Sequence, residues 1–206
     1  MNILILGATG RVGSHILKYA LSENHHVTVL VRDPHKIQVE NRNLTVMEGN
    51  ALIESDIQNA MAGMDIVISA LGTDGTTTLS DSMPYIIKGM GDEGIKRLIT
   101  IGTGGILNSR TELGKLRYQS NESKRKTTRA AEDHHRAYEL LEDSRLDWTI
   151  VCPTYLPDGE HRGSYRTERD FLPENGKMIS VPDTAEFAYI QIEDDSYIKS
   201  RAGIAY

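Results

Sequence analysis

Short apolar runs alternate along this chain with longer stretches whose apolar residues recur every three or four positions. Asn2 to Leu6 is such a run, closed by a glycine, and reads as a buried strand. From Arg11 to Glu23 the apolar positions Val12, Ile16, Leu17, Ala20 and Leu21 follow helical spacing. His26 to Val31 is β-branched and predicts a second strand, and Leu44 to Met47 a short third. Ile53 to Ala62 predicts a helix with Ser55 and Asp56 near its start. Asp65 to Leu71 predicts a fourth strand, and Asp81 to Glu93 a helix with Ile86, Ile87 and Met90 on one face. Lys96 to Ile101 predicts a fifth strand. Parallel strands need crossover helices, so the alternation predicts a parallel sheet covered on both faces. Runs such as IVISAL are what a strand buried on both sides requires.

The second half is less regular. Residues 102–120, with their glycines, Asn108 and Ser109, read as a long loop, and long ordered loops in compact domains are often functional. Asn121 to Glu142 predicts a helix, polar at first, with Ala130, His134, Ala137, Tyr138 and Leu141 on its apolar side. The basic run Lys124, Arg125 and Lys126 with Arg129 reads as its solvated face. Trp148 to Cys152 predicts a sixth strand, Met178 to Val181 another, and Thr184 to Ile192 a helix. No repeat, low-complexity tract or linker divides the chain. The expected fold is one α/β domain over residues 1–206, a Rossmann-type doubly wound parallel sheet.

Length and charge narrow this further. The 206 residues suit one substantial core. A net charge of −6 argues against a nucleic-acid partner, because a phosphate backbone needs a positive field. Cys152 stands alone, so no internal disulfide forms, which fits a reducing compartment. Before Pro153 at a strand end, it reads as buried and inert. The N-terminus has no basic stretch before its apolar run, and no apolar run approaches the roughly 18 residues that span a bilayer. The expectation is a cytoplasmic protein, a monomer or small homo-oligomer, with neither membrane nor nucleic acid as partner.

The strongest chemical signal is Gly7-Ala8-Thr9-Gly10-Arg11-Val12-Gly13. It follows a strand, opens a helix and precedes a second strand, the setting in which a glycine triplet binds a dinucleotide. Gly7 lets the strand turn sharply, Gly10 lets backbone N–H groups approach the pyrophosphate, and Gly13 allows close packing of helix on sheet. The helix start adds unpaired donors and about half a positive charge. The second strand ends Val31-Arg32-Asp33. An acid about 20 residues past the glycines accepts from the ribose of NAD, whereas Arg32 before it suits the 2′-phosphate of NADP. The reading favours NADP, with NAD as the alternative; Arg32 otherwise is a solvated surface residue. Leu71-Gly72-Thr73 after the fourth strand and Asn50-Ala51 after the third, where adenine would lie, point to the same crevice.

These residues resemble a known family. GATGRVGSHIL, TVLVRD, ISALGT, the stretch from Glu132 to Leu141 and the closing AGIAY are similar to the atypical short-chain dehydrogenase/reductases with an NmrA-like, NAD(P)H-binding domain. Within them they are similar to the flavin and biliverdin-IXβ reductases, over nearly the whole chain. The resemblance implies an NADPH-dependent reductase for flavins or linear tetrapyrroles. It implies that Gly7, Thr9, Gly10, Arg11, Val12 and Gly13 form the phosphate loop and that Arg32 takes the 2′-phosphate. It places Leu71, Gly72 and Thr73 beside the cofactor, and puts the substrate-site segments at 103–120 and 152–170. Thr103 stands where that subgroup has a serine near the nicotinamide, Tyr155 where it has a histidine at the substrate site, and Asn50 where it has an aspartate.

No tyrosine here has a lysine four places on, the pair short-chain dehydrogenases use to deliver a proton to a carbonyl. Hydride transfer to a flavin asks less of the protein, which mainly aligns two rings and excludes water. Thr103, after the fifth strand, is the candidate beside the nicotinamide, or else a loop threonine capping local backbone. Tyr155 is the candidate to stack on a flat substrate, or else a partly buried tyrosine. His134 reads as a core histidine, and Tyr118 falls in the loop. His134 and His135 lack the companion ligands of a metal site, and none is expected. The expected activity is hydride transfer from NAD(P)H to a small flat conjugated acceptor such as a flavin or quinone. The alternative is a dinucleotide-binding redox sensor of NmrA type that does not turn its cofactor over.

Overall fold

Alternate residues of β1 (Asn2–Leu6) enter two different cores, and this one strand explains the layering. Ile3 and Ile5 pack on one side of the sheet, Leu4 and Leu6 on the other, all four without solvent exposure. In the computed structural model, which describes residues 1–123 and 127–206, α1 (Arg11–Ser22) and α5 (Val181–Ile190) cover the first side. On the other side lie α2 (Glu54–Met61), α3 (Thr78–Asp92) and α4 (Arg129–Glu142), supplying Ile57, Ile86 and Ala137 among others.

The remaining strands are β2 (His26–Val31), β3 (Leu44–Glu48), β4 (Ile66–Ser69), β5 (Arg97–Ile101), β6 (Asp147–Pro153), β7 (Arg166–Arg169) and β8 (Ser200–Ala205). They form one sheet in the order β3-β2-β1-β4-β5-β6-β8-β7. Every pairing is parallel except β7 with β8. The fold is therefore the expected Rossmann-type doubly wound sheet with one antiparallel edge strand. Chain order reverses between β1 and β4, and ligands of such sheets bind beyond the carboxyl ends of the strands at that point.

Several expectations need correction. α4 begins at Arg129, not Asn121. Side chains claim the backbone before it: Glu112 accepts from Asn121 N–H at 2.7 Å, and Ser120 Oγ from Glu122 N–H at 3.3 Å, so the chain turns there instead. The basic run 124–126 lies outside the described residues. Residues 178–181 make a single bridge, Tyr155 with Met178, rather than a strand. α5 starts three residues before Thr184, because Ser180 caps it by accepting from Asp183 N–H. β7 and β8 have no counterpart in the expected elements.

Candidate functional site

The glycine loop has the shape its sequence calls for. Gly7 has φ +79°, and a Cβ there would lie 2.5 Å from the carbonyl oxygen of Ala70, at the end of β4. A Cβ on Gly13 would run into the carbonyl of Gly7. The loop therefore closes tightly on both neighbours and leaves its outer side to a ligand. Gly10 is the N-cap of α1 and offers no side-chain cap, and no acidic residue occupies the first turn. An anion at this helix start would meet unclaimed donors, so the loop fits a pyrophosphate. Thr9 is exposed, while the side chain of Val12 belongs to the core and leaves only its backbone to the site. The Arg11 side chain points away from α1: Nε donates to Asp158 at 2.6 Å and Nη2 to the carbonyl of Leu156 at 2.8 Å. It thus ties the glycine loop to the segment after β6.

Beyond β2 the two charged residues diverge. Arg32 is exposed and pairs with Asp74 at 2.9 Å, on the loop after β4. Asp33 accepts from His35 N–H and caps the short turn 34–36. Asn50 accepts from Leu52 N–H at 3.0 Å while its own N–H donates to Asp56, and Ala51 packs against the core beside it. The 71–73 segment joins β4 to the turn that precedes α3, with Gly72 exposed and Leu71 and Thr73 half-buried.

A cavity of about 460 Å³ opens past the ends of β5 and β6. Thr103, Pro153 and Tyr155 line it from the strand ends, His134 and Ala131 from α4, and Tyr118 from the 3-10 turn 117–119. Thr103 lines the cavity, and its Oγ also accepts from Gly105 N–H at 3.4 Å, the local cap that is its other reading. Tyr155 is 63% exposed, so it stands at the rim rather than partly buried in a wall. His134 is corrected from the core to the cavity lining. Of the two expected substrate segments, 103–120 contributes both its ends, and 152–170 only residues 153–155.

Three features escaped sequence reasoning. Arg117 and Glu122 form a half-buried pair at 3.1 Å in the cavity wall. Tyr118 bonds His135 Nδ1 at 2.9 Å. Arg201, 5% exposed, donates to the Ile106 carbonyl at 2.5 Å and to Asn108 at 2.9 Å, and lies over the Tyr138 ring. It anchors the 104–108 segment from behind. Tyr118 and His135 carry a signal in their residue types, but only the fold brings them together. Cys152 is fully buried beneath the site, and burial pushes its thiol up to about 12. This matches the inert cysteine expected.

Among the described residues, the ligand atoms of His161, Asp183 and Glu186 all lie within 4.8 Å of one another. Asp183 already accepts from the N–H groups of Arg162 and Gly163 and from Ser180 and Tyr206. That saturation reads as a structural hub tying the 161–163 loop and the C-terminus to α5, and no metal is assigned to it.

Comparison with known proteins agrees with this geometry. The family model described as NAD(P)H-binding matches residues 7–195. The uncharacterized protein YwnB of Bacillus subtilis is 26% identical over 199 residues, 94% of this chain and 92% of that one. A solved structure from Burkholderia pseudomallei, described as a candidate exported protein, is 28% identical with a TM-score of 0.86, covering 100% of both chains. A candidate epimerase from Bacteroides thetaiotaomicron is 27% identical with a TM-score of 0.85, covering 100% of this chain and 96% of that one. No helix among the described residues is long and apolar enough to cross a membrane.

Proposed function

The chain belongs to the NAD(P)H-binding family, and from that premise we propose that it is a reductase, preferring NADPH, for a small flat conjugated acceptor. The observation that carries this reading is the open cavity past the ends of β5 and β6, lined by Thr103 and Tyr155. A dinucleotide-binding sensor has no use for a second chamber next to its cofactor, and its side chains could fill that space.

The chain's own groups divide the work. The backbone donors of Arg11, Val12 and Gly13 hold the pyrophosphate, with Gly7, Thr9 and Gly10 shaping the loop. Arg32 takes the 2′-phosphate, Asn50 and Ala51 flank the adenine, and Leu71, Gly72 and Thr73 line the crevice between. Thr103 meets the nicotinamide end, and Tyr155 stacks on the acceptor at the rim. The bound reduced dinucleotide supplies a hydride, and the protein aligns the two rings and excludes water between them. With a net charge of −6, the partner is a small acceptor rather than nucleic acid. The lone buried thiol fits a reducing, cytoplasmic setting.

The test is titration of wild type and Arg32→Ala with NADPH and NADH, followed by turnover against quinone and flavin acceptors. Wild type is expected to prefer NADPH, and the variant to lose roughly 10- to 100-fold of that preference, the worth of one charge-assisted pair. Binding of neither nucleotide would refute the cofactor site. Binding without oxidation of NADPH by any acceptor would turn the reading toward the sensor.

A further inference from the structure

One wall of the cavity carries a line of polar groups that the cofactor does not use. Tyr118 lines the cavity, and its hydroxyl oxygen lies 2.9 Å from Nδ1 of His135. Nε2 of Gln119 donates to the same oxygen at 3.2 Å. On the far side of the imidazole, Nε2 lies 3.7 Å from a carboxylate oxygen of Glu139, whose side chain is 59% exposed. The imidazole is held between two rings, edge-on to Tyr118 and stacked on Tyr138. A path of titratable groups thus runs from the cavity through α4 to solvent. The other groups near it are His134 on the same helix and the Arg117–Glu122 pair, both in the cavity wall.

Hydrogen bonds donated to a phenol oxygen strengthen as that oxygen gains charge, and they turn its own hydrogen away from the donors. In Tyr-x-x-x-Lys sites a lysine has this role. Here Gln119 supplies one such donor, and His135 supplies a second when Nδ1 carries its proton. That arrangement leaves the Tyr118 hydrogen to point into the cavity.

We propose that Tyr118 is the proton donor of this site, relayed through His135 to solvent at Glu139, and that the acceptor is a carbonyl compound, a quinone foremost. The proposal rests on the reductase reading above. The quinone gains a hydride, and with it two electrons, from the reduced nicotinamide. Its charged oxygen takes the Tyr118 proton as the O–H bond of Tyr118 breaks and that of the hydroquinone forms. The Tyr118 oxygen recovers a proton from Nδ1 of His135, and His135 recovers one from solvent, so one solvent proton enters per turnover. A flavin makes less use of such a donor, because hydride addition at N5 gives a stable anion.

The experiment compares wild type, Tyr118→Phe and His135→Asn with NADPH and two acceptors, a naphthoquinone and FMN. Tyr118→Phe is expected to lower kcat for the quinone by roughly 10²- to 10⁴-fold, the range for a positioned acid. FMN reduction should fall far less, and NADPH binding should hold, which also reports folding. The wild-type quinone reaction should show a solvent deuterium isotope effect that the FMN reaction lacks. An unchanged quinone rate in Tyr118→Phe, or equal losses with both acceptors, would overturn the proposal while leaving the reductase reading intact. Failure of wild type to oxidise NADPH with any acceptor would remove both. A second readout needs no turnover: ¹⁵N NMR of the free protein is expected to find His135 Nδ1 protonated. A bare Nδ1 would mean that Tyr118 spends its proton on His135, and the proposal would fall.

Discussion

Asp133 serves a helix other than its own. It sits on α4 with no exposure and accepts from the N–H groups of Leu79 and Ser80 and the Ser80 hydroxyl, at 3.1, 3.2 and 2.6 Å. These are donors that α3 leaves open in its first turn, where Thr77 provides no cap of its own. Asp133→Ala would strand them inside the protein, for a loss of about 2 kcal/mol and a melting temperature lower by about 4–8 °C. An unchanged melt would mean that water replaces the carboxylate, and Asp133→Asn, which keeps an acceptor, should lie between. Asp74 is the second such residue. Its pair with Arg32 is exposed on both sides, so it is worth about 0–1 kcal/mol and yields to a phosphate. Asp74→Ala should therefore tighten NADPH by up to about fivefold and leave NADH unmoved in the same titration. Arg32 is legible in the sequence because a strand end fixes its place. Asp74 is not, because a left-handed turn at φ +49° swings it there.

At the level of elements, legibility follows burial on both faces. β1, β2, β4 and β5 are apolar runs that their pattern alone locates, while β3, an edge strand with no buried residue, is found from its short Leu-Thr-Val-Met stretch. β8 is as buried as those four, yet it reads Ser-Arg-Ala-Gly-Ile-Ala, because its arginine and glycine have local reasons to be inside. Gly203 passes so close to the Phe171 carbonyl that a Cβ could not fit. The Arg201 guanidinium, joined to Asp170 as well as Ile106 and Asn108, fastens β8 to the loop behind the cavity. β7 is a charged edge strand whose polar sequence guards against further pairing, so it carries no apolar signal. Replacing Arg201 by Met leaves Asp170 only the Arg201 backbone N–H and takes the donor from the Ile106 carbonyl and from Asn108, for about 3 kcal/mol. Because the loss falls on the 104–108 segment, the acceptor KM should rise while the NADPH dissociation constant holds. Protease should also cut first within residues 109–116. Equal damage to cofactor and acceptor binding would show that Arg201 supports the whole sheet rather than this segment.

For the molecule as a whole, the switch point between β1 and β4 sets the crevice in which such sheets bind ligands, and the two helical layers decide how the protein responds to pH. Burial raises Cys152 from 9.0 to about 12 and Tyr138 and Tyr189 from 10.0 to about 12, and it raises Tyr165 further. In each case the native state keeps its proton to a higher pH than the unfolded chain does. Below about pH 8 both states are protonated and these groups add no slope. Above it the unfolded chain binds fewer protons, so stability falls as pH rises from about 9 to 12, first through Cys152 and from about 10 through the tyrosines as well. Cys152 can contribute at most about 1.4 kcal/mol per pH unit. Urea midpoints taken at half-unit steps from pH 8 to 11 should be level at first and then descend. Cys152→Ala should delay the onset by about one unit, to where the tyrosines begin to ionise. A wild-type midpoint that stays level past pH 10 would mean that the β6 thiol reaches solvent in the native state. The core beside β6 would then be open, and its packing against the helices on that face of the sheet would have to be redrawn.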